Sequence, residues 1–185
     1  MPNSTAYQKL FAPVTCHAPF LNGWQRMDDD ALAKVPSGWR EWLFSEGSLT
    51  TRLMAFSKGS FRVRVLAEGW KTATRYEAFK LGLDSAKMVR VRDVELLCNE
   101  VPVVFARTVI PLTLYQREKT VFNTMGTKPL GHYLFKEGQI KNAKRDIKLC
   151  DADGSGIYAR ATPYQFRGSE ILVREFFLHD DLLKT

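Results

Sequence analysis

The plainest periodic stretch of the chain is Phe61-Arg62-Val63-Arg64-Val65, where apolar and basic residues alternate. Period-two alternation predicts a strand with one face buried and the other wetted. Val89 to Cys98 and Val103 to Pro111 are two further β-type runs, joined by Asn99-Glu100-Val101-Pro102. A link that short suits a hairpin better than a crossover. Ile147 to Cys150, Ile157 to Phe166 and Glu170 to Leu178 read as strands too. Asp151-Ala152-Asp153-Gly154-Ser155-Gly156 and Arg167-Gly168-Ser169 are the turns between them.

Helical spacing dominates earlier. Pro36-Ser37-Gly38 precedes a short amphipathic run, Trp39 to Phe44, with Ser37 as candidate cap. Leu49, Leu53 and Phe56 then recur at helical spacing, with Ser48 as the N-cap. A third short helix is expected within Gly126 to Phe135. Its Pro129 falls in the first turn, where a missing N–H costs nothing. Strands in short-linked runs, with helices grouped and not alternating, predict an α+β fold. The expectation is one mainly antiparallel sheet of about six strands with flanking helices.

Size and composition agree. The 185 residues amount to one domain, 1–185, with no repeat, low-complexity tract or linker. No apolar run is long enough to span a membrane, and the polar start Met1 to Lys9 has no signal-type stretch. A cytoplasmic protein is the expectation. Cys16, Cys98 and Cys150 are far apart and form no C-x-x-C pair, so they read as reduced thiols. The net charge of +7 leaves three partners open: nucleic acid, an acidic membrane surface, or a small anion. The densest basic group, Lys141, Lys144, Arg145 and Lys148, is interrupted by Asp146 and reads as a solvated face.

Two strand faces carry charges that do not belong to an apolar stripe. Ile171, Val173, Glu175 and Phe177 share one face of the last strand; Leu172, Arg174, Phe176 and Leu178 share the other. At least one must be core, and a buried carboxylate needs a partner or a proton. Glu175 is either an acid or hydrogen-bonding group in a pocket, or a carboxylate tied to an arginine for structure. Arg92 shares parity with Val94 and Leu96, and Arg107 with Val103, Phe105 and Val109. A guanidinium on such a stripe is either a carboxylate clamp or a structural ion pair. Two helix starts, at Leu49 after Ser48 and at Leu130 after Pro129, expose backbone N–H groups that can hold an anion.

Several chemistries drop out. His17, His132 and His179 have no metal-ligand spacing. Asp151-x-Asp153-x-Ser155-Gly156 imitates the opening of a calcium loop, but its twelfth position is Thr162, not Glu. There is no phosphate-cradling glycine loop and no G-x-S-x-G elbow. A site without metal or cofactor is expected.

Four stretches, in order, resemble the chorismate–pyruvate lyase family. They are Trp42 to Thr50, Arg92 with Phe105 to Pro111, Lys128 to Phe135, and Tyr158-Ala159-Arg160 through Leu172 to Leu178. The resemblance spans roughly Trp39 to Leu178. It departs at Ala161-Thr162, where a second arginine and a serine are expected, and at His179, where proline is expected. It implies an antiparallel sheet with helices closing over a buried ligand, and a cofactor-free reaction, chorismate to 4-hydroxybenzoate plus pyruvate, in ubiquinone biosynthesis. It also implies a monomer that takes small molecules and binds no nucleic acid. Position by position, Arg92 looks like the ligand-binding and catalytic arginine and Glu175 like the corresponding glutamate. Leu49 and Leu130 match positions that hold the ligand from the helix starts.

The rival expectation is a non-catalytic effector-binding module, since the same fold serves as the sensor domain of some bacterial transcription regulators. Such sensors follow a DNA-binding domain, and only about 40 residues precede the similar stretch here. Direct nucleic-acid binding through Arg62 and Arg64 ranks last, because it leaves Glu175 unexplained.

Overall fold

The computed structural model describes residues 24, 26–84, 86–136, 144–150 and 156–178. Its strands are β1 (Phe61–Thr72), β2 (Met88–Cys98), β3 (Val101–Pro111), β4 (Asp146–Cys150), β5 (Ile157–Phe166) and β6 (Ser169–Phe177). They form one sheet in the order β1-β2-β3-β6-β5-β4, and every neighbouring pair is antiparallel. Two blocks of sequence-consecutive strands, β1-β2-β3 and β4-β5-β6, therefore meet at β3 and β6. The helices are α1 (Asp29–Ala33), α2 (Ser37–Phe44), α3 (Leu49–Ser57), α4 (Arg75–Lys80), α5 (Leu112–Arg117), α6 (Lys119–Asn123) and α7 (Leu130–Lys136). The α+β expectation holds.

Each expected strand is present, but some boundaries move. The β2–β3 turn is only Asn99-Glu100, with φ of 50° and 65°. This is the primed geometry that matches strand twist, so pairing resumes at Val101. β1 runs well beyond Val65, to Thr72, because its register shifts between Val65 and Ala67. The bulge at Leu66 reverses which face each later residue takes. That reversal is why the alternation fades in the sequence while the strand continues.

Among the caps, Ser48 does what its position predicts: its hydroxyl accepts from Thr51 N at 3.3 Å. Ser37 does not. It is the first residue of α2, and the N-cap is Pro36, whose carbonyl accepts from Trp39 N and Arg40 N at 3.0 and 3.2 Å. Pro129 likewise stands just before α7 and not in its first turn. The preceding chain is still in a turn, with Gly126 at φ 52° and Lys128 N donating to Met125 O. Helix α4 was not foreseen. It starts with a capping box, in which Thr74 accepts from Glu77 N and Glu77 accepts from Thr74 N. The Asp151–Gly156 turn (through 155), Cys16, His17, His179 and Lys141 lie outside the described residues.

Apolar cover is divided among three clusters. On one face of the sheet, α2 and α3 bring Trp39, Trp42, Leu43 and Leu53 against Val63, Val94, Leu96 and Val104. Farther along the same face, α5 to α7 bring Leu114, Phe122 and Leu134 against Ile110, Tyr164, Ile171 and Val173. The opposite face packs Trp24 and Ala78 against Val91, Phe105, Leu172 and Phe176. A cavity lies in the gap between the first two clusters.

Candidate active site

Strand register assembles the site. Arg92 lies opposite Thr108, and Ala106 opposite both Val94 and Glu175, so these residues share one face of β2, β3 and β6. They line a cavity of about 60 Å³, with Leu49 and Leu130 reaching it from the starts of α3 and α7. All four expected site residues, Leu49, Arg92, Leu130 and Glu175, therefore meet at one cavity. The remaining wall is mostly aliphatic, including Val63, Val94, Leu96 and Val173. An apolar wall with a few convergent polar groups fits a small organic ligand that carries charge at defined points.

Glu175 combines both readings open to it from sequence. It lines the cavity and is 6% exposed, and it is also paired with a fully buried arginine, Arg160, through Nε. Burial alone pushes the pKa of Arg160's guanidinium down, but the Glu175 carboxylate outweighs it, raises the value and holds the cation charged. Arg160 Nη1 donates to Trp42 O at 2.6 Å, tying the last turn of α2 to the sheet. Arg145 adds to this tie, donating to Leu43 O at 2.9 Å and Ser45 O at 2.8 Å. The carbonyl end of α2 is the negative pole of the helix, where cations are favoured. Two arginines beside one carboxylate leave this side of the cavity electropositive. Tyr164, also on the wall, is 5% exposed, and burial with the nearby Glu175 charge pushes its phenol well up, so it stays protonated.

Arg92 is 6% exposed. Its Nη1 donates to Glu68 Oε2 at 2.9 Å, and its Nη2 to the carbonyl of Gly126. Glu68 owes its place to the β1 bulge, which sets it opposite Arg92.

Arg107 is not part of this site. It points to the other face of the sheet, where its Nε meets Glu77 Oε1 at 2.9 Å and its Nη1 meets Asp93 Oδ2 at 3.2 Å. Arg174 joins the same cluster through Glu77, at 2.9 Å. Of the two roles open to Arg107, carboxylate clamp or structural ion pair, its contacts are those of an ion pair, and its neighbour Thr108 is the residue that lines the cavity. Thr108, Lys128, Tyr164 and Glu68 were not singled out from sequence. Parity could have found Thr108, which falls on the face opposite to Arg107. Among the described residues no group of His, Cys, Asp or Glu side chains is placed to hold a metal ion, and no helix is long and apolar enough to cross a membrane.

Residues 20–184 match the sequence model of a family described as chorismate lyase. A protein named probable chorismate pyruvate-lyase in Cupriavidus metallidurans is 37% identical over 194 residues, covering 96% of this chain and 85% of the relative. One of the same name in Marinobacter nauticus is 36% identical over 141 residues, 75% of each chain. Among solved structures, the effector domain of PhnF from Mycobacterium smegmatis is similar with a TM-score of 0.54 and 22% identity. That match covers 75% of this chain and 92% of the other. At that identity the likeness is one of fold alone.

Proposed function

The chain belongs to the chorismate lyase family, and from that premise we propose that it converts chorismate to 4-hydroxybenzoate and pyruvate without metal or cofactor. The observation that carries this reading is the meeting of Arg92, Glu175 and two helix starts at one cavity whose remaining wall is mostly aliphatic. Chorismate is a dianion with an enolpyruvyl ether. Loss of the ether side chain and one ring proton makes the ring aromatic, which drives the reaction forward. The protein has to hold the dianion in a reactive pose and stabilise the charge that shifts onto the ether. Arg92 and the N–H groups of Leu49 and Leu130 are assigned to carboxylate, and Glu175 to the ring hydroxyl end, orienting that hydroxyl or helping to transfer the ring proton that is lost. Arg160 holds the Glu175 carboxylate in place for either task.

In this reading the protein is a cytoplasmic monomer serving ubiquinone biosynthesis, with chorismate and 4-hydroxybenzoate as its small-molecule partners. No specific observation favours the effector-binding alternative: the fold it shares with PhnF is accompanied by relatives named as lyases over most of the chain. The test is direct. Purified protein given chorismate should release pyruvate in the presence of a metal chelator, and Arg92→Ala and Glu175→Ala should each abolish or greatly slow release. Near-normal rates in both variants would sink the site assignment; no release by the parent protein would sink the function.

A further inference from the structure

The carboxylate of Glu68 serves two guanidiniums. Oε2 accepts from Arg92 Nη1 at 2.9 Å, and Oε1 accepts from Arg90 Nη2 at 3.2 Å. Arg90 and Arg92 are two residues apart on β2 and share its cavity-side face. Arg90 itself lies over the rings of Trp70 and Tyr115, at 5.7 and 5.4 Å from their centroids. The three charged groups sum to one positive charge. The bulge between Val65 and Ala67 is what brings Glu68 here: with unbroken alternation from Val63 and Val65, residue 68 would fall on the opposite face.

We propose that Glu68 is a positioning residue: it fixes the Arg92 guanidinium toward the cavity, where the two arginines still carry one positive charge in excess, which the ligand carboxylate balances. This rests on the assignment of Arg92 to carboxylate binding. A guanidinium has five N–H donors in a rigid fork, and Glu68 and Gly126 use two of them on Arg92. The others remain for ligand. With a carboxylate bound, charges alternate along the array Arg90, Glu68, Arg92, ligand, two of each sign. A neutral group in the same place leaves the excess charge unbalanced, so the array selects for carboxylate. Glu68 is partly exposed, at 27% of its side chain, so its replacement leaves the core intact.

The experiment is calorimetric titration of 4-hydroxybenzoate and 4-hydroxybenzamide into the parent protein, Glu68→Gln, Arg92→Ala and the double variant, with melting curves for each. Glu68→Gln should weaken 4-hydroxybenzoate by about tenfold or more, the worth of one charge-assisted hydrogen bond, and leave the amide within about twofold. In the Arg92→Ala background it should add nothing further, because it acts through Arg92. Unchanged or tighter 4-hydroxybenzoate binding in Glu68→Gln overturns the proposal, as does an equal loss for both ligands or additivity with Arg92→Ala. A parent protein that binds no 4-hydroxybenzoate and cleaves no chorismate overturns the proposed function itself, which separates the two failures.

Discussion

Replacing Glu77 by glutamine probes the ionic cluster behind the site. Glu77 is fully buried, and its Oε1 accepts from Arg107 Nε and Arg174 Nη1, both at 2.9 Å. Its Oε2 caps α4 by accepting from Thr74 N at 2.9 Å. Glutamine keeps the volume and one acceptor but removes the charge, leaving two buried guanidiniums short of an anion. Removing one partner of a buried pair costs about 3–5 kcal/mol. Arg107 retains Asp93 at 3.2 Å, so we expect the lower end, about 3 kcal/mol, a large share of the roughly 5–15 kcal/mol that stabilises a domain. Urea unfolding at pH 7 should show a lower midpoint with an unchanged slope. The pH dependence gives a second check. Burial pushes the Glu77 carboxyl up, but Arg107 and Arg174 outweigh it and hold the group below its ordinary value of 4.5. A depressed folded value means the stabilisation is complete above 4.5 and is lost as pH falls from there through the folded value. The gap between parent and Glu77→Gln should therefore be constant down to about pH 5 and narrow below it. A gap under about 1 kcal/mol at pH 7, or one that closes between pH 7 and 5, would refute the account.

Other outcomes follow from single contacts. Tyr76→Phe deletes a hydrogen bond to Asp146 Oδ2 of 2.8 Å while Lys80 stays on that carboxylate at 2.9 Å; denaturant midpoints should register a loss of about 1 kcal/mol. Glu100→Gly relieves a left-handed backbone at φ 65° in the β2–β3 turn, and calorimetry should find it about 0.5–1 kcal/mol more stable, after the entropy of glycine and the loss of an exposed pair with Arg62 are counted. Burial raises the thiol values of Cys98 and Cys150, so both should resist alkylation at neutral pH until denaturant is added, as mass spectrometry of the quenched protein can follow.

Much of this fold was legible because the β-type runs of β2, β3, β5 and β6 stay in phase over most of their length, the β2–β3 register shifting only next to the hairpin, between Leu96 and Leu97. Ser48 was legible as a cap because it stands directly before an apolar helical repeat. β1 was half legible: the bulge at Leu66 shifts its phase, and no residue there advertises the shift. Glu68 was lost with it, since its role depends entirely on which face the bulge turns it to. The start of α4 was missed although Thr74-x-x-Glu77 carries the capping-box signature. What sequence could not disclose is that the same Glu77 also closes a buried ionic cluster, because its partners come from β3 and β6, at distances of 30 and 97 residues along the chain. The pairing of Glu175 with Arg160 was hidden for a related reason. Both residues stood in the motifs that carry the family resemblance, but only the β5–β6 register places them opposite one another.

The two polar layers of the sheet are joined at three points. Arg92 is followed by Asp93, Arg107 by Thr108 and Arg174 by Glu175. In each pair one residue faces the cavity and its neighbour enters the Glu77 cluster on the far side. Strand alternation forces this arrangement: a polar residue required on the cavity face fixes the side taken by the next one. The far-side cluster thus fastens β2, β3 and β6 to each other immediately behind the residues assigned to ligand. Since the cluster holds its strands through ion pairs of fixed geometry and not through interchangeable apolar contacts, a register slip there would break it and also move Arg92 or Glu175 out of the cavity. The cluster costs desolvation that an apolar core would not, and what it provides in return is a single register for the three strands that carry the site.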